Sequence, residues 1–168
     1  MEGGVNMESA TIIDMFKYNN GFLSNFLILT YPIRWGGLEY KSSEHFYQAM
    51  KTINHEDRMW IASLGGAWEA KKAGGPFGYK GRRIVKRPDF DDIRIRIMRI
   101  AVLMKFANNP VIATKLINTG NKMLIEGNTW HDNFWGNCTC SKCSNKRGEN
   151  WLGQILMETR NALTTIGY

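Results

Sequence analysis

Cysteine is scarce and confined to one place: three residues in 168, all between positions 138 and 143. An odd, clustered count is no disulfide framework, so a reducing, cytoplasmic setting is the expectation. No apolar run approaches the ~20 residues that cross a bilayer, so no membrane partner is expected. The opening MEGGVNMESA lacks a basic segment followed by an apolar one, so no signal peptide is expected, and Glu2 breaks the myristoylation pattern. Residues 1–10 read as a flexible tail before a single domain over 11–168. There is no internal repeat, linker or low-complexity tract. Walker A, G-x-S-x-G and H-E-x-x-H patterns are all missing, which leaves three common hydrolytic chemistries without a carrier.

What is present is a chain able to bury a core, with 43% hydrophobic residues and six tryptophans. The net charge is +7 and uneven. Between Lys71 and Lys105 stand eleven Lys/Arg against three Asp, a local excess of +8 that leaves the remainder at −1. Such a block suits a phosphate-bearing partner, nucleic acid included, and is equally the composition of a solvated basic face.

Strands are expected over 11–16, 27–34 and 38–41, with Gly36-Gly37 as the tight turn of a hairpin. A helix should follow from Ser42 or Ser43, either of which can cap it. At roughly 100° per residue, Glu44, Gln48 and Lys51 share one stripe, and Phe46, Ala49, Met50 and Ile53 lie opposite. On periodicity alone that is an ordinary amphipathic surface helix. Further helices are expected over 56–64 and 68–73. A basic, glycine-rich loop over 74–83 comes next. A long helix capped by Asp89 or Asp91 should run to about Asn108, apolar on two sides. Pro110 should open the next helix and Gly120 close it. A short strand over 123–126, an irregular segment over 127–147 and a last helix from Asn150 complete the chain. Helices dominate and the strands gather near the N-terminus, so the fold class is α+β, a single mostly helical domain with a small N-terminal β-hairpin.

Chemistry concentrates in a few stretches. The segment from Glu126 to Gly136 combines carboxylates with Trp130 and Trp135, which serve either as core plugs or as platforms for a flat base or sugar. Asp132 there can orient a sugar hydroxyl or water, or simply cap a turn. Cys138, Cys140 and Cys143, with His131 upstream, supply a compact donor set for zinc, but lack the second distant pair that makes a zinc ribbon convincing. Free thiols and no metal are the working expectation. His45 reads as a packing residue rather than a base. Glu44, Glu126 and Asp132, with the aromatics and basic residues, suit cleavage of a bond to a sugar leaving as an oxocarbenium-like species. They suit passive nucleotide binding as well.

An ordered series of short motifs resembles the NADAR family, also called YbiA-like. It comprises Leu23-Ser24-Asn25-Phe26, then Tyr40-x-x-Ser43-Glu44-His45-x-x-Gln48-Ala49-x-Lys51. It continues with Ala70-Lys71, Arg87-Pro88-Asp89, Met98, Lys105-Phe106, Thr119-Gly120, Glu126, Asp132-x-x-Trp135-Gly136 and Asn150-x-x-Gly153-x-x-Leu156-Met157-x-x-Arg160. The resemblance spans about residues 14–163. It implies an α+β N-glycosidase that needs no cofactor. Its substrate would be an early riboflavin-pathway intermediate or an ADP-ribosylated guanine, free or in nucleic acid. By the same resemblance Glu44 is the catalytic carboxylate, with Asp132 assisting. The resemblance also makes Trp135 a substrate contact and Asn25, Gln48, Lys51, Lys105 and Arg160 parts of the pocket, and Phe26, Phe90, Glu126, Trp130 and Asn150 complete the expected substrate-binding set. Three features depart from the family pattern: Phe90 where tryptophan is usual, the long 74–83 loop, and the cysteine trio.

Removal of ADP-ribose from guanine is therefore the leading expectation, with the basic 71–105 region favouring a nucleic-acid substrate. A phosphorylated riboflavin-pathway substrate is the alternative. A non-catalytic ADP-ribose or NAD-binding module, or a zinc-stabilised nucleic-acid binder, is the reading from another class.

Overall fold

The computed structural model describes residues 11–143 and 145–168. The expected tail over 1–10 lies outside the described residues. The fold is α+β. Among the described residues six α-helices carry most of the regular secondary structure, and the strands form three separate two-stranded sheets. Strand β1 (Ile12–Ile13) pairs in parallel with β4 (Met123–Leu124), tying the start of the described chain to its last third. Strands β2 (Ile33–Trp35) and β3 (Leu38–Tyr40) form the expected hairpin. Gly36 and Gly37 both take positive φ, 57° and 78°, which costs glycine little.

The strand expected over 27–34 shrinks to β2. Of its first part, Leu29 still donates to Lys41 O at 2.8 Å. Tyr31 is held instead by Asn109, which accepts from its N–H and donates to its carbonyl, each at 2.9 Å. The turn expected at Asn19–Gly21 is a longer 3-10 turn over Tyr18–Leu23.

Helix α1 (Ser43–Ala49) follows the hairpin directly, capped by Ser42, whose hydroxyl accepts from His45 N–H at 3.2 Å. All seven of its residues are buried. Periodicity alone would turn the polar stripe to solvent; Glu44 and Gln48 are instead interior, because α2 (His55–Ser63), α3 (Ala67–Ala73) and α4 (Phe90–Ala107) all pack around the helix. Helix α4 is apolar on two sides for the reason expected: it touches α1, α5 (Pro110–Ile117) and α6 (Trp151–Thr165). Pro110 opens α5 as expected. Phe46, Met98, Val102, Phe106, Leu116, Ile155 and Leu156 fill the shared core. No single helix among the described residues is long and apolar enough to cross a membrane.

The segment expected to be irregular contains a short parallel pair, β5 (Gly127–Asn128) with β6 (Asn137–Cys138). This pair closes a loop over 129–136 and sets its base beside β4.

Candidate active site

One wall of the site is the start of α1. Glu44 N–H donates to Asn25 O at 3.0 Å, which fastens the helix to the 24–26 segment. The carboxylate is 7% exposed, and its Oε1 accepts from Gln48 Nε2 at 2.7 Å. Burial pushes its pKa up. The Gln48 bond and the charges of Lys71 and Lys51 pull it back down, and the Asp132 charge pushes it up again. Lys51 Nζ donates to Gly74 O at 3.0 Å and sits over the rings of Tyr47 and Phe90. Burial lowers its pKa. His45 is wholly buried between Ser42 Oγ and Leu64 O, a packing residue.

The opposite wall is the 126–136 loop. Asp132 Oδ1 accepts from Phe134 N–H at 3.1 Å and Trp135 N–H at 2.8 Å. Asn128 braces the same turn, accepting from the N–H groups of Trp130 and Asp132 and donating to Asp132 O. Trp135 packs edge-on against Tyr47 of α1 with ring centroids 5.4 Å apart, and Phe134 lies under the Arg94 guanidinium at 3.6 Å. Loop and helix therefore meet through an aromatic seam.

Glu126 forms the floor. Its carboxyl is pushed up to about 7, by burial first and then by Asp132, against the charges of Lys105, Lys71 and Lys17. Lys105, fully buried on α4, is pulled down to about 7 by burial, with Glu126 opposing, and donates to Ser24 O at 2.8 Å. Four buried polar side-chain atoms have no hydrogen-bond partner among the described residues: Asn25 Oδ1, Ser43 Oγ, Gln48 Oε1 and Glu126 Oε2. Buried polar atoms are nearly always satisfied, so the unpartnered acceptors of Asn25, Gln48 and Glu126 single these residues out as candidate ligand contacts.

Two aromatics flank this cluster and remain open. Phe26 is 37% exposed with Lys71 Nζ 5.4 Å from its ring centre, and Trp130 is 52% exposed with Lys17 Nζ at 5.8 Å. Phe90 differs: it is 2% exposed and packed on Tyr47, so it backs the Lys51 ammonium instead of offering an open face.

Two of the expected substrate residues have other partners. Asn150 spends its side chain on backbone, accepting from Glu126 N–H and donating to Leu124 O, each at 2.9 Å. Arg160 donates to Thr119 Oγ1 and Lys122 O, tying α6 to the turn after α5. Both position the elements around the floor. Sequence reasoning left out Lys71, Tyr47 and Gly74. Lys71 was visible only as a member of the basic 71–105 block and of the Ala70-Lys71 pair, with no role of its own. Gly74 has a plain reason: a Cβ there would fall 2.0 Å from Gln48 Oε1.

The basic 71–105 block is partly neutralised. Arg82 pairs with Asp57, Lys86 with Asp91, Arg87 with Asp89 and Arg99 with Glu158, while Lys105 is interior. Among groups able to hold a metal, His131, Cys138, Cys140 and Cys143 converge at the far end of the loop.

Residues 15–164 match the family model of the NADAR domain. An N-glycosidase of Nostoc punctiforme is 38% identical over 128 residues, covering 74% of this chain and 77% of that protein. The N-glycosidase YbiA of Escherichia coli is 29% identical over 155 residues, covering 91% and 89%. A riboflavin biosynthesis protein of Vibrio vulnificus is 34% identical over 147 residues, 86% of this chain but 36% of that longer protein. The solved structure of E. coli YbiA superposes with a TM-score of 0.75 at 26% identity, over 96% of this chain and 91% of that one.

Proposed function

The chain belongs to the NADAR family, and from that premise we propose that it is an N-glycosidase that removes ADP-ribose from guanine bases. The observation that carries the chemistry is a set of three carboxylates, Glu44 on the helix and Glu126 and Asp132 on the chain that packs against it through Trp135, beside unpartnered buried acceptors on Asn25, Gln48 and Glu126. Sugar hydroxyls are the donors such acceptors match. The bond from anomeric carbon to base nitrogen breaks, water supplies the new C–O bond, and the base leaves with a proton. An ionised Glu44 stabilises the positive charge developing on the sugar and takes the proton of the attacking water. Asp132, held by two backbone N–H groups, orients that water. Glu126, with its proton held up to about 7, is the donor for the departing base.

Two open aromatic faces, Phe26 and Trp130, each with a lysine beside it, suit a substrate with two bases and a diphosphate between them. In duplex nucleic acid the modified base would have to leave the stack, so single strands are the better substrate. The second reading, a phosphorylated riboflavin-pathway intermediate, is favoured by the name of the Vibrio relative and by the ion pairs that neutralise much of the 71–105 block.

The test is a comparison of products by mass, with an ADP-ribosylated guanine oligonucleotide and a phosphorylated pyrimidine N-riboside of the riboflavin pathway as the two substrates. Release of ADP-ribose from the oligonucleotide is expected. Turnover of the riboside alone would move the assignment to the second reading, and turnover of neither would refute the hydrolase.

A further inference from the structure

We propose that His131, Cys138, Cys140 and Cys143 form a structural zinc site that fixes the loop carrying Asp132 and Trp135. Their ligand atoms all lie within 4.8 Å of one another. A tetrahedron with Zn–S of about 2.3 Å has edges of about 3.7 Å, so closing on the ion asks for shifts of about 1 Å at most. The donor chemistry, three thiolates and an imidazole, is that of zinc among the common divalent ions.

Three independent features prepare the four residues. His131 Nδ1 already lies 3.4 Å from Cys143 Sγ and 3.2 Å from Cys140 Sγ. His131 takes φ +68°, a left-handed conformation uncommon outside glycine, which turns the chain between Trp130 and Asp132. Its own N–H donates to Cys138 Sγ at 3.3 Å, and Asn133 Oδ1 accepts from Cys138 N–H at 2.9 Å. Hydrogen bonds of this kind to ligand sulfurs and their backbone orient a metal site. Three thiols are also an odd number, so a disulfide would leave one over, whereas a metal uses all three together with the histidine.

Four protein ligands leave no open position for water, so the metal is structural. Its consequence for the site is positional. His131 directly precedes Asp132, and Cys138 lies on β6, which closes the loop against β5. Zinc therefore clamps both ends of the turn that presents Asp132 and Trp135. This inference does not depend on the substrate assignment above.

The experiment uses the full chain, purified without chelator and analysed for metals by mass spectrometry. One zinc per chain is expected. Cys140→Ser and His131→Asn should each lose most of it, while Lys142→Ala keeps it. Titration of the metal-free protein with Co(II) should give thiolate-to-cobalt charge-transfer absorption saturating at one equivalent. Should Cys140→Ser fail to fold, the cobalt titration of the wild type decides. Zinc below about a tenth of an equivalent after refolding with the metal would overturn the proposal, as would full zinc retention in both ligand variants or cobalt binding without the charge-transfer band.

Discussion

Glu44 and Asp132 stand on two walls built by different means. Glu44 stands on a capped helix with all seven residues buried, and its position follows from core packing on both sides. Asp132 stands on a loop held by side-chain-to-backbone hydrogen bonds from Asn128, Asn133 and Asp132 itself, with the β5–β6 pair at its base. A wall made by packing tolerates polar change at its surface but not a change of volume. A wall made by hydrogen bonds tolerates changes of volume but not the loss of a single acceptor. The two walls should therefore fail differently, and that difference can be measured.

The largest effect is expected at Glu44. Glu44→Gln keeps the shape and the neighbourhood of Gln48, so melting temperature should hold or rise as a buried charge is removed. Turnover should fall by about 10²–10⁴-fold, the usual range for losing a general base. A loss of turnover that tracks a loss of folded protein would make Glu44 a packing residue.

Glu126 comes next, through pH. Its folded pKa of about 7 lies above the ordinary carboxyl value, so the folded state holds this proton more tightly than the unfolded chain does. That contribution is complete at pH below about 4.5 and is lost as pH rises through 7, at most about 3 kcal/mol. Lys105, lowered to about 7, stays protonated in both states only up to about pH 6; above that the folded state begins to lose its proton, and this opposes the Glu126 slope. Urea unfolding of the wild type from pH 4.5 to 6 should therefore show falling stability, and Glu126→Gln should flatten the curve over that range. Parallel slopes would show that Glu126 titrates normally.

Gly74→Ala and Asn128→Ala then probe the two walls side by side. The alanine Cβ at 74 would collide with Gln48 Oε1, which has nowhere to move inside a buried helix, at a cost of about 1–3 kcal/mol. Asn128→Ala removes an acceptor for two N–H groups and a donor to Asp132 O, also about 1–3 kcal/mol. Both variants should lose activity. Only Asn128→Ala should show faster hydrogen exchange confined to 129–136. Equal exchange in the two would mean that the loop does not move independently of α1.

The same contrast explains what was legible in the sequence. Helix α1, its Ser42 cap, the Gly36-Gly37 hairpin and the Pro110 start of α5 all follow from short-range rules, and each is found. That the Glu44–Gln48–Lys51 stripe is interior was not readable from periodicity, because burial there depends on α2, α3 and α4 arriving from elsewhere in the chain. The order of motifs carried that information instead. The loop was the harder half. Its β5–β6 pairing spans only two residues per strand, too short for any alternation to show. Asn150 and Arg160 read as substrate contacts in the motif series, whereas their hydrogen bonds are to backbone and to Thr119. A polar residue at a fixed spacing looks the same in sequence whether it holds a ligand or the chain.

The most direct measurement is a double-mutant cycle on the reaction itself: turnover of wild type, Glu44→Gln, Asp132→Asn and the double variant, under single-turnover conditions. Residues that act as one unit on one anomeric carbon lose their effect together. The double variant is expected to be no slower than Glu44→Gln by more than about threefold. Losses that multiply in the double variant would mean that Glu44 and Asp132 act independently, and would contradict a single site formed where helix and loop meet.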